Sequence, residues 1–138
     1  MTPLLLDTHI LIWLMEGNTR LPVGVRKRIA TAALSDEVLI SAITPWEIAL
    51  LVAKKKIYLL RDVQDWINAA LALPGIRLEP LSPEIAVAST RLPWEMHGDP
   101  ADRILVATAR HLGATLITAD ELILRFGDQG NLRVMPAN

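Results

Sequence analysis

The 138-residue chain contains no cysteine, which excludes disulfides and thiolate metal sites and fits a cytoplasmic protein. Aromatic residues are scarce, at four tryptophans, one tyrosine and one phenylalanine. So few rings do not announce a stacking platform for single-stranded bases. Excess charge is also missing: 14 basic residues stand against 15 acidic ones, for a net charge of −1. Any nucleic-acid binding must therefore come from local patches. No apolar run approaches the roughly 18 residues that a membrane span needs. No basic stretch precedes the short apolar run near the N-terminus, which argues against a signal peptide.

What is present is apolar. Hydrophobic residues make up 51% of the chain and the mean hydropathy is +0.33. Such a composition calls for a sheet covered on both faces, or for surface buried against a partner. Short apolar runs at 3–6, 38–41, 76–81, 115–118 and 132–135 read as strands. Helical spacing or helix-opening signals mark 8–15, a segment from Pro22, 44–56, 62–73, 82–92, 98–113 and 119–126. Gly17-Asn18, Pro74-Gly75, Gly113 and Gly127 supply the stops. Strands alternating with helices predict an α/β fold with a mostly parallel sheet. Without repeats or a linker, residues 1–138 are expected to form a single domain.

In an open parallel sheet, ligands bind beyond the carboxyl ends of the strands. Asp7 directly follows the first strand, and Asp120 follows 115–118 with one residue between. Glu47 lies six residues past the end of 38–41, and Asp99 and Asp102 open the helix at 98–113. Each acid also has a plainer reading. Thr44-Pro45-Trp46-Glu47 spells a capping box, Asp99-Pro100-Ala101-Asp102 repeats it, and Asp7 and Asp120 suit N-caps. The joint pattern is harder to explain by capping. Converging carboxylates repel one another, and a bound divalent cation removes that cost. An oxygen-rich site without cysteine suits Mg²⁺ or Mn²⁺, as in one- or two-metal phosphodiester cleavage.

Three segments carry a family resemblance: LLLDTHILIW (4–13), ISAITPWEIALLVAKKKI (40–57) and HGDPADRILVATARHLGATLITAD (97–120). In their order and spacing the chain resembles the PIN-domain ribonucleases, and among them the VapC-type toxins of bacterial and archaeal toxin–antitoxin pairs. The resemblance implies a PIN-like three-layer sandwich of about five strands with helices on both faces. It also implies a Mg²⁺- or Mn²⁺-dependent endoribonuclease, a homodimer and a cognate antitoxin. Carried over residue by residue, the catalytic and metal-binding acids are Asp7, Glu47, Asp102 and Asp120, with Asp99 belonging to a branch variant.

Around these acids, Thr8 and Thr118 are placed to orient carboxylates, and Thr8 also reads as a cap. His9 is expected to point away from Asp7, and His97 and His111 to serve at the surface or in caps. The candidate RNA contacts are Arg26-Lys27-Arg28, Lys54-Lys55-Lys56 with Arg61, and Arg103, which stands beside Asp102; solvated helix faces read equally well. Trp13, Trp46 and Trp94 suit core or interface, with Trp46 close enough to Glu47 to line a cleft. The apolar helix at 46–60 suggests a dimer seam or an antitoxin groove. Two other readings compete. An aspartyl-phosphate hydrolase usually carries a second carboxylate two positions after the first, where this chain has His9. A non-catalytic acidic-pocket domain of receiver type needs a late lysine after a strand, and none follows 115–118 or 132–135.

Overall fold

The computed structural model describes residues 2–93, 96 and 98–138; Trp94 and His97 fall outside them. The chain runs β1 (Leu4–Leu6), α1 (Thr8–Glu16), α2 (Val23–Ala33), β2 (Val38–Ser41), α3 (Ile43–Ala53), α4 (Val63–Leu71) and β3 (Ile76–Glu79). It continues through α5 (Pro83–Ala88), α6 (Pro100–Leu112), β4 (Thr115–Thr118), α7 (Glu121–Phe126), a kinked turn over 127–131 and β5 (Arg133–Pro136). All the strands pair in parallel, in the order β3-β2-β1-β4-β5.

Period-2 alternation sends successive side chains of the central strands to opposite faces. Leu4, Leu6, Val38, Ile40 and Ile117 join one core with Ile10, Val25, Ile29, Trp66 and Ile67 from α1, α2 and α4. Leu5, Leu39 and Leu116 join a second core with Leu105, Val106, Ile123 and Phe126 from α6 and α7. Both faces of β1, β2 and β4 are thus covered, and their runs read as continuously apolar for that reason. The edge strands β3 and β5 are only partly buried. This is the three-layer α/β architecture expected from the sequence.

The boundaries differ where side chains intervene. The helix expected over 82–92 stops at Ala88, where the Ser89 and Thr90 hydroxyls each donate to a carbonyl three residues back, Ala86 O and Val87 O, both at 2.7 Å. The helix expected over 44–56 begins at Ile43 and ends at Ala53.

Gly75 is needed where it stands. Its φ is +83°, and a Cβ there would come within 2.1 Å of the Ala33 carbonyl oxygen at the end of α2. The same residue's carbonyl accepts from Val38 N at 3.3 Å, so the turn joins α2, β2 and β3. Gly75→Ala is expected to destabilise the fold by about 2 kcal/mol or more, from positive φ and backbone collision together. Urea denaturation measures it, and a loss under about 0.5 kcal/mol contradicts this account.

Candidate active site

The sheet order reverses beside β1: the chain moves outward through β2 and β3, then returns to β4 on the other side. The crevice beyond the carboxyl ends of β1 and β4 is therefore the topological switch point. A cleft of about 370 Å³ opens there, lined by Asp7, His9, Trp13, Glu47, Asp99, Asp102, Ala119 and Asp120. All the carboxylates singled out in the sequence meet in it, from four different elements. No lysine or arginine is among the described residues that line it.

Asp7 is fixed by the last rung of the ladder, its backbone N–H donating to Ile117 O at 3.0 Å. The side chain is 8% exposed. One carboxylate oxygen accepts from Thr8 N at 2.7 Å, and the other accepts from Thr118 Oγ1 at 2.6 Å. Thr118 Oγ1 also accepts from Asp120 N at 3.0 Å. Asp120 caps α7, accepting from Leu122 N at 2.9 Å and Ile123 N at 3.0 Å. Asp99 caps α6 by accepting from Asp102 N at 3.1 Å, with Pro100 and Asp102 following in the first turn.

Glu47 departs from the capping reading. α3 begins one residue before Thr44, flanked by Ala42, and the Ser41 hydroxyl accepts from Ile43 N at 3.1 Å. Glu47 is then two positions too deep to close a box. Thr44 turns inward, fully buried, with its hydroxyl 3.3 Å from that of Thr8. The Thr8 hydroxyl donates to the Glu47 carboxylate. Each threonine therefore braces an acid from another part of the chain: Thr8, adjacent to Asp7, holds Glu47, and Thr118, two residues before Asp120, holds Asp7.

Burial and crowding disfavour ionisation here. Burial pushes the Asp7 carboxyl up, against the hydrogen bonds from Thr118 and Thr8 that favour its charge. Burial also raises Glu47, opposed by the bond from Thr8 and reinforced by Asp7 and Asp99. Asp102 is pushed from 3.8 to about 8, by burial first and then by repulsion from Asp7, Asp99, Asp120 and Glu47. An all-oxygen donor set short of positive charge fits a hard divalent cation. Glu47, Asp99 and Asp102 can place one carboxylate oxygen each within 4.8 Å of one another. Asp7 and Asp120 line the same cleft outside that tight group.

Several expectations need correction. His9 does not point away; it lines the cleft with Trp13, one helical turn further on. Their i, i+4 spacing was the available signal for a shared wall. Arg103 is committed to the fold, donating to Ser89 O at 2.9 Å and Met96 O at 3.0 Å. Arg26 similarly donates to Asn18 O at 3.1 Å. A larger cavity of about 680 Å³ lies at the opposite end of the sheet, around Arg110, Asn131 and Arg133, with no carboxylate among the described residues that line it.

The PIN domain model matches residues 4–128. The chain belongs to the PIN-domain family. Across 120 residues it is 33% identical to Ribonuclease VapC22 of Mycobacterium tuberculosis, covering 87% of this chain and 88% of that protein. A toxin–antitoxin complex from Klebsiella pneumoniae superposes with a TM-score of 0.52 at 30% identity, covering 84% of this chain and 85% of the other. The toxin–antitoxin structure VapBC2 of Rickettsia felis, bound to a promoter DNA fragment, gives a TM-score of 0.71 over 98% of each chain at 18% identity, a likeness of fold. The PIN fold therefore accounts for the switch-point cleft.

Two outcomes follow for this PIN domain. Asp102 has a raised folded pKa, so the folded state holds a proton that the unfolded state releases between pH 3.8 and about 8. Its contribution is present at low pH and is lost as pH rises through the folded value. Asp102→Asn, which cannot ionise, is expected to raise the metal-free melting temperature strongly near pH 8 and clearly less near pH 5, where the penalty has only begun to build. Thermal melts at both pH values decide, and equal shifts refute the proposed cause. Thr118→Val removes the donor to Asp7 without changing shape and is expected to cost about 1–3 kcal/mol in urea denaturation.

Proposed function

We propose that the chain, residues 1–138 acting as one PIN domain, is a VapC-type endoribonuclease that hydrolyses RNA phosphodiester bonds with Mg²⁺ or Mn²⁺ and is neutralised by a cognate antitoxin. The convergence of Asp7, Glu47, Asp102 and Asp120 in one cleft at the switch point, inside the segment matched to the PIN family, carries this reading. Ribonuclease VapC22 bears that activity in its name, and the Klebsiella structure is a toxin–antitoxin complex.

A bound divalent cation would supply Lewis acidity toward water and phosphate. The chain's residues do the rest. Asp7 offers two oxygens whose directions are set by Thr8 N and Thr118 Oγ1, each with lone-pair capacity left for a cation. Glu47 is held from the α3 side by the Thr8 hydroxyl. Asp102 enters from the first turn of α6 and Asp120 from the entry to α7. The raised affinity of Asp7, Glu47 and Asp102 for protons keeps part of the set neutral until a cation or substrate-borne charge balance arrives, so proton release accompanies metal binding.

The exposed apolar surface supports protein partners, an antitoxin and a second copy of the chain. Tyr58 is 80% and Leu60 105% exposed, just beyond α3, which buries only Thr44 and Ile48 fully. No described helix is long and apolar enough to cross a membrane, and RNA as substrate would place the activity in the cytoplasm.

Glu47→Gln and Asp102→Asn keep hydrogen-bonding capacity while removing charge. Both are expected to stay folded by circular dichroism and to lose RNA cleavage in Mn²⁺ by roughly 100-fold or more. Wild-type rates in both variants would end the metal reading.

A further inference from the structure

A second groove, about 280 Å³, adjoins the acidic cleft and shares Glu47 and Asp99 with it. Trp46, Leu50, Lys54 and Lys56 line its outer part. Trp46, Leu50 and Lys54 follow one another at i, i+4 and i+8 along α3 and its C-cap, so they form one stripe. By helical rise the stripe extends about 12 Å away from the carboxylates. Trp46 stands at its inner end, 53% exposed although it is a large apolar ring.

The outer end is shaped by an unusual backbone. Lys55 has φ +57°, a conformation normally left to glycine. Lys56 N donates to Leu51 O at 2.9 Å and Lys55 N to Val52 O at 3.0 Å, the Schellman arrangement that ends a helix. This turn folds the chain back so that Lys54 and Lys56 both line the groove, whereas Lys55 does not.

The geometry points to a single-stranded RNA track leading out of the active site: a nucleobase next to the scissile phosphate stacks on Trp46, and the following phosphates meet Lys54 and Lys56. The inference rests on the ribonuclease reading and assigns its substrate path. An acidic cleft repels a polyanion, and a strand can approach only if cations stand close by. This groove is continuous with the cleft and supplies them, together with a ring face that accepts any base.

The test separates binding from cleavage. A fluorescein-labelled 15-nucleotide oligouridylate is titrated with the full chain in Ca²⁺, with binding read by anisotropy. Cleavage of total RNA in Mn²⁺ is measured separately. Trp46→Ala is expected to weaken binding roughly five- to hundredfold, and Trp46→Phe to stay within about threefold of wild type. Lys54→Ala with Lys56→Ala is expected to lower the slope of log affinity against log salt by roughly 1.4, at about 0.7 per phosphate contact. Binding that is absent in wild type, or unchanged in all three variants, overturns the track. So does a Trp46→Ala protein that binds RNA normally but changes its sedimentation, which would assign the groove to a second copy of the chain. Wild-type protein that binds the oligonucleotide through Trp46 but never cleaves RNA refutes the ribonuclease reading and leaves the track standing.

Discussion

Carboxylates crowded into a partly buried cleft repel one another, and the rest of this fold is arranged around sustaining that repulsion. Asp7, Glu47, Asp99, Asp102 and Asp120 line a single crevice without a lysine or arginine among its described walls. Burial first, and then repulsion from four other acids, pushes Asp102 up to about 8. Ordinary cores avoid such an arrangement, because a buried charge without a partner destabilises the folded state. Here the cost is confined to one sheet edge, while two apolar cores on either face of the sheet supply the stability. A cation at such an edge would gain from the same field that opposes the carboxylates.

Two threonines make the crowding tolerable. Both are fully buried, and each donates to a carboxylate distant in sequence. Thr118 reaches across 111 residues of chain to Asp7, and Thr8 reaches across 39 to Glu47. These contacts favour the charged forms against desolvation and fix where the oxygens point. They also tie β1, α3 and β4 together at the site itself. Pre-organisation and fold stability thus rest on the same hydrogen bonds, and a change in either threonine is felt in both.

Much of this was legible in the residues. The apolar strands, the glycine stops and the position of Asp7 after three leucines announce a parallel sheet with an acid at its edge, and the structure agrees. The capping signals of Asp99 and Asp120 were also correct, and capping turned out to accompany a place in the cleft rather than to compete with it. The Thr44–Glu47 box misled because helix starts depend on what lies behind them. Ser41 accepts from Ile43 N and α3 begins early, so Thr44 faces the interior and Glu47 faces the cleft. Arg103 misled for a related reason: adjacency to Asp102 in sequence says nothing of which carbonyls a guanidinium meets once the fold brings Ser89 O and Met96 O to it.

Local chemistry determined what could be read one element at a time. Hydrophobic period, caps and turn residues act over a few positions, so the sequence alone established the α/β class, the positions of the strands and the acids that stand at their ends. The tertiary structure decided which of those acids share a cleft, which threonine braces which carboxylate, that His9 lines the cleft, and that Trp13 both packs on the core and walls the cleft. Those outcomes depend on strand order and helix phase, which are set by packing between segments far apart in the chain, and no local pattern encodes them.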